Sequence, residues 1–276
     1  MRCSWGLLLS VSRAILRRGL TPHCHHLDNR GKSPPVDALL PASFATAELL
    51  LRLEANPWFA GLPAADRKAV LAASERQHLA AGEMLFRQGD AVPPGQGAFY
   101  GVVKGGIKAS SLREDGKEAI LVVLEAGNWF GEISLIDRLP RTHDATAVGE
   151  TEVLALPRPA FDRMMKRPAF ALAVCRLLAG RVRSLYGMVE DATLRSTRAR
   201  VARRLLLLAR GDATQARDPR PVVPVSQEAL AMMLGVSRQT LSKELQGLAR
   251  EGAIELGYGR IAIASASRLE QFGVDS

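Results

Sequence analysis

A chain of 276 residues is long enough for two domains with cores of their own. Its 47% apolar content excludes a wholly disordered protein. The lack of any uncharged run of about 18 residues argues against a membrane span, and the three cysteines (Cys3, Cys24, Cys175) make no disulfide framework, which points to a reducing cytoplasm. The net charge of +9 is unevenly spread. Between Lys166 and Arg210, eleven Lys or Arg face only Glu190 and Asp191, whereas Trp58 to Met165 carries 12 basic against 14 acidic residues. A basic segment of this kind suits a polyanionic partner, although a solvated basic face alone would look the same.

Residues 1–40 differ from the rest. Trp5 to Leu16 is largely apolar with Arg13 inside it, Arg17 and Arg18 follow, and no acid precedes Asp28. A secretory or transit segment has this charge pattern, but the apolar part is short and interrupted and no small-residue cleavage site follows. The stretch reads as a disordered, even non-native, extension. His23, Cys24, His25 and His26 are adjacent in sequence, and without further ligands elsewhere they make no metal site.

Residues 41–165 read as one module. Ala45–Leu53 and Pro63–Leu79 show helical patterns separated by a break at Asn56-Pro-Trp-Phe. From Gly82 the period shortens: GEMLFRQGD, GAFYGVVKGGIKAS, GKEAILVVLEAGNWF and TEVLALP are short β-rich runs punctuated by glycine, as in an antiparallel barrel or roll. Arg158–Lys166 turns helical again. Residues 166–195 are then a connector whose helix, Pro168–Ala192, would be about 37 Å long. Ala171, Cys175, Leu178, Val182, Leu185, Val189 and Ala192 form a heptad seam along it, with Cys175 as a small core residue rather than a redox switch. Such a seam fits a second copy of itself, or else the helix packs against its own sheet.

Residues 196–276 carry the strongest local signal. In Val225–Leu245, VSQEALAMMLGVSRQTLSKEL, Ser226 is an N-cap, Ala231 permits a close helix crossing, Gly235 supplies the turn and Ser237 caps a second helix. Leu241, Leu245 and Leu248 line one side of that helix; Arg238, Gln239, Ser242, Lys243 and Gln246 line the other. An ordinary helical hairpin lacks this combination. A helix-turn-helix needs it, with one helix as brace and one entering the major groove. After Gly252, AIELGYGRIAIAS reads as two strands around Gly257-Tyr258-Gly259, a hairpin wing.

One segment of the sheet module also stands out: FGEISLIDRLPRTHDATA, from Phe130 to Ala147. Gly131 permits close backbone approach, Glu132–Ile136 can form a helical turn with free N–H groups, and Arg141 can return its guanidinium to the same place after the turn at Leu139-Pro140. Such a set suits a phosphate, with Glu132 accepting from a ribose hydroxyl; a capped turn with Glu132 paired to Arg141 is the plainer alternative.

FGEISLIDRLPRT and LGVSRQTLSKEL together resemble the Crp-Fnr family of bacterial transcription regulators, over nearly everything from Trp58 to Ile263. The resemblance implies an α+β protein with a cyclic-nucleotide-binding-like antiparallel β-roll, a long dimerisation helix and a C-terminal winged helix-turn-helix. It implies a cytoplasmic homodimer that binds a double-stranded DNA operator, works with RNA polymerase and is not an enzyme, with no catalytic residues and no metal. It places Gly131, Glu132, Ile133, Ser134, Arg141 and Thr142 in an effector pocket. Arg238, Gln239 and Lys243 would read bases or nearby phosphates, assisted by Ser237, Thr240 and Ser242.

Three departures bear on specificity. Gln239 stands where many members carry Glu, which alters the expected operator. Cyclic-AMP-binding members follow the Arg-Ser/Thr pair with Ala, whereas His143-Asp144 follows here, and Leu185-Tyr186 falls near where those members offer hydroxyls to the base. Both point away from cyclic AMP while leaving another cyclic nucleotide or phosphate-bearing ligand open. The oxygen-sensing branch's N-terminal cysteine cluster is missing. Two further readings stay in view: a DNA-binding regulator whose pocket is only scaffold, and a cyclic-nucleotide-regulated enzyme or channel, which the winged helix and the lack of a catalytic module disfavour.

Overall fold

A computed structural model describes residues 42–54, 56–213 and 219–274, so the expectations for residues 1–40 lie outside the described residues. Helices α1 (Ala42–Glu54), α2 (Pro57–Ala60) and α3 (Ala64–Ala73) precede the first strand, β1 (Glu75–Leu79). The sequence break at Asn56 is itself a cap: its Oδ1 accepts from the Trp58 N–H at 3.2 Å and starts α2. The helical pattern expected over Pro63–Leu79 holds only to Ala73. Ser74 leaves the helix in extended conformation, and Glu75–Leu79 pairs antiparallel with a strand some 75 residues later in the chain. Its polar sequence, Glu-Arg-Gln-His, carries no alternation that would betray a strand; the cross-strand partners decide it, including the Arg76–Glu152 pair at 2.9 Å.

The roll continues with β2 (Met84–Phe86), β3 (Ala98–Lys104), β4 (Gly106–Leu112), β5 (Glu118–Glu125), β6 (Trp129–Phe130), α4 (Glu132–Asp137), β7 (Asp144–Ala147) and β8 (Thr151–Pro157). These strands form two four-stranded sheets, ordered β1-β8-β3-β6 and β2-β7-β4-β5. Then come α5 (Arg158–Met165) and the long α6 (Pro168–Leu194). An aromatic cluster ties helices to sheet: Trp58 and Trp129 meet edge to face at 5.5 Å, and Phe59 stacks on Trp129 at 5.7 Å. Phe99, Phe161 and Phe170 complete it. The cluster depends on Gly101, where an added Cβ would lie 2.6 Å from the Trp129 ring. Gly101→Ala is therefore expected to cost about 1–3 kcal/mol and to lower the thermal unfolding midpoint by several degrees.

Helix α6 divides in two. Phe170, Ala173 and Val174 are buried in the roll's own core. Farther on, Val182, Leu185 (58% exposed) and Val189 (61% exposed) face solvent, and Cys175 is exposed as well. The roll's core thus takes Phe170, Ala173 and Val174, which lie off the seam, while Cys175 on the seam is exposed, contrary to its expected place as a small core residue, and those farther seam positions are bare.

The C-terminal module comprises α7 (Thr197–Ala209), β9 (Val222–Val223), α8 (Gln227–Leu234), α9 (Arg238–Arg250), β10 (Ile254–Gly257), β11 (Arg260–Ile263) and α10 (Ala266–Val274). Leu205, Leu230, Leu241, Leu245, Ile254, Ile261 and Leu269 form its core. The wing has a third strand, β9, paired to β11. This module touches the roll at β5. Asp212, held by the buried Arg204 at 2.8 Å, accepts from the Val123 N–H at 3.3 Å, and Arg220 bridges Glu125 and the Leu208 carbonyl. Burial pushes the Asp212 carboxyl up while Arg204 and the Val123 N–H pull it down.

Candidate effector cleft and DNA-binding face

Gly131 takes a φ of +93°, a conformation few side chains tolerate, and this lets α4 start tightly against β3. Gly131, Ile133, Ser134, Arg141 and Thr142 come together around one cleft, joined by Phe86 and His143. Its cavity measures about 10 Å³, room for roughly one water molecule. Arg141 is buried, donates to the Gly131 carbonyl at 3.0 Å and lies 4.1 Å above the Phe86 ring. Burial lowers its pKa from the ordinary guanidinium value, against the opposing pull of Tyr100, Glu132 and Asp90. The loop around it is fixed by backbone bonds to Gly89 and Asp90 at 2.8 and 2.9 Å.

Glu132 acts on the charges of Arg141 and His143 but does not itself line the cleft. It is fully buried (0% exposed), and Oε1 is gripped by Arg181 of α6, which also donates to the Trp129 carbonyl. The alternative of a Glu132–Arg141 pair is not what forms. Glu132 Oε2 has no hydrogen-bond partner among the described residues, an expensive state for a buried oxygen. Nothing local in the sequence announces Arg181, which lies 49 residues from Glu132.

At the other end of the protein, Ser226 and Ser237 both cap as expected, accepting from Ala229 and Thr240 N–H groups at 3.1 Å. Gly235 turns with φ +64°, and Ala231 is buried in the module's core. Ser237, Arg238, Gln239, Ser242 and Lys243 line one open groove with Gln227 and Gln246. Thr240 stands apart from it, sharing a hydroxyl contact with Ser237 at 2.8 Å. The basic run before the motif is largely spent internally. Arg195 and Arg203 pair with Asp191, Arg204 with Asp212, Arg198 with Glu251, and Arg200 donates to the Leu234 carbonyl at the end of α8. Its charge therefore stabilises the module's frame more than it offers free cations.

The fold and these two sites define a transcription regulator with a nucleotide-sensor-like roll and a winged helix-turn-helix. Comparison with known proteins agrees: residues 76–168 match the cyclic nucleotide-binding domain, and residues 199–272 match the Crp-like helix-turn-helix domain. The chain is 33% identical over 220 residues to the cyclic AMP receptor protein of Thermus thermophilus, covering 79% of this chain and 97% of that protein. It is 31% identical over 190 residues to the CRP-like cAMP-activated global transcriptional regulator of Mycobacterium tuberculosis, covering 68% and 83%. A solved CRP-family regulator from Thermus thermophilus superposes with a TM-score of 0.58 at 29% identity, covering 72% of this chain and 97% of that one. The protein belongs to the Crp-Fnr family of DNA-binding transcription regulators. Among the described residues no helix is long and apolar enough to cross a membrane, and no group of His, Cys, Asp or Glu is arranged to hold a metal.

Proposed function

We propose that this regulator is a homodimer whose roll binds a small phosphate-bearing effector, a cyclic nucleotide being the leading class, and that the paired α6 helices carry that event to the recognition helices α9. The observation behind this reading is the grip of Arg181 on Glu132. Arg181 lies one helical turn before Leu185 on the bare seam, so whatever engages the buried carboxylate acts on the dimer helix directly. Arg141 would take the phosphate, with Gly131, Ile133, Ser134 and Thr142 around it, and Glu132 Oε2 would accept an effector hydroxyl. Such an effector shifts the protein only as far as its affinities for the two arrangements differ. The relatives named for cyclic AMP support the nucleotide class; His143 and the Leu185-Tyr186 pair weigh against adenine as the base. RNA polymerase is the partner such a DNA-bound dimer would engage.

The second reading, an effector-independent regulator, is favoured by one observation: the cleft has room for only about one water. Isothermal titration with cyclic AMP, cyclic GMP and cyclic di-GMP separates the two. Saturable heat from one supports the effector reading, and silence from all three supports the scaffold.

At the DNA end, Ser237, Arg238, Gln239, Thr240, Ser242 and Lys243 are assigned to operator binding. Arg238→Ala is expected to weaken operator binding by about 1–3 kcal/mol and to relax sequence preference. Equal losses on operator and random DNA would make Arg238 a phosphate contact instead.

A further inference from the structure

His143 occupies the cleft without a part in the effector set described above. Its ring lies 6.2 Å from the Phe86 ring that carries Arg141, and its Nδ1 is 2.8 Å from the Thr142 hydroxyl. We propose that His143 is a third anion-recognising residue of this cleft, and that it takes up a proton as a phosphate-bearing effector binds; this rests on the effector reading of the same site. The reason lies in the donor inventory. A neutral imidazole offers one N–H, and with Thr142 donating to Nδ1 the hydroxyl proton is spent inside the protein. In the imidazolium, Nδ1–H donates to Thr142 Oγ1, which frees the hydroxyl proton to turn outward, and the Nε2–H already present becomes a charged donor. One proton thus supplies one new donor to an anion and puts a positive charge on another.

The surroundings make that uptake conditional on ligand. Burial foremost, then Arg181 on α6 and Arg141 on the preceding turn, hold the imidazole below its ordinary range, while Glu132 on α4 and the neighbouring Asp144 pull it up. The ligand-free residue is therefore neutral near pH 7, and an arriving anion adds the negative charge needed to reverse this. The sign follows: affinity rises as pH falls from the pKa of the complex towards that of the free protein, by up to about tenfold per pH unit, and is flat outside that window.

The test is isothermal titration of cyclic AMP, cyclic GMP and cyclic di-GMP into the whole protein from pH 5.5 to 8.5, repeated with His143→Ala and His143→Gln. In parallel, the imidazole resonance is followed by NMR with and without nucleotide. The expected result is a nucleotide affinity that strengthens towards acid in the native protein, a pH-flat affinity at the weaker level in both variants, and a His143 pKa raised by ligand. Native affinity that is flat in pH would overturn the assignment. So would variants that bind better at every pH, which would make His143 a plug. Absence of binding by any of the three nucleotides at any pH in all three proteins would overturn the effector reading itself and this inference with it.

Discussion

Leu185→Glu combined with Val189→Glu is expected to yield a folded monomer that has lost operator binding. Both side chains face solvent in the protomer, so the substitution removes nothing from the protomer's own core and thermal unfolding of the roll changes little. In a two-fold pair each position counts twice. Four apolar side chains at about 1.5–3 kcal/mol each, an upper bound for burial across the seam, give on the order of 6–12 kcal/mol, and four carboxylates brought together add repulsion. At that bound the dimer constant falls by roughly ten-thousandfold or more. DNA binding falls with it, because paired recognition helices must reach half-sites about one helical turn apart. Sedimentation velocity and operator anisotropy measure the two effects; a double variant that remains dimeric would remove α6 as the dimer seam.

Arg141→Ala should abolish effector response while leaving effector-independent DNA binding near its native level. A hydrogen bond to a charged group contributes about 1.5–3 kcal/mol, and a fork gives two, so a loss of about a hundredfold or more in effector affinity is expected. Arg141 also holds its own loop, through Gly131 and Phe86, so Arg141→Lys serves as the control: it keeps the charge and loses the fork. An intermediate response from Lys and none from Ala, both folded by circular dichroism, identifies a phosphate ligand. Unaltered response in both would remove Arg141 from the site.

What the sequence made legible follows the range of the interactions concerned. The helix-turn-helix was readable because its signals are local: Ser226, Gly235 and Ser237 each act within four residues of themselves. The glycine-punctuated strands from Gly82 onward were readable for the same reason, their turns being written in place. What escaped depends on partners far along the chain. β1 looks helical until β8 pairs with it, and Arg181 finds Glu132 across 49 residues. The module contact through Val123 and Asp212 spans 89 residues, and that between Glu125 and Arg220 spans 95. Charge counting misled in one respect. The excess of arginine before the motif suggested a surface for phosphates, but most of those guanidiniums meet carboxylates or carbonyls of the protein itself, Asp191 of α6 among them. A sum of charges cannot distinguish a paired cation from a free one.

The central claim, that the roll's effector sets DNA binding, is tested most directly by fluorescence anisotropy of the protein on its own promoter DNA, titrated with and without cyclic AMP, cyclic GMP and cyclic di-GMP, with Arg141→Ala alongside. One nucleotide is expected to raise DNA affinity at least about tenfold, a coupling of roughly 1.4 kcal/mol, with no response from the variant. Tight binding indifferent to all three nucleotides, identical in native protein and variant, would contradict it and leave the cleft as scaffold.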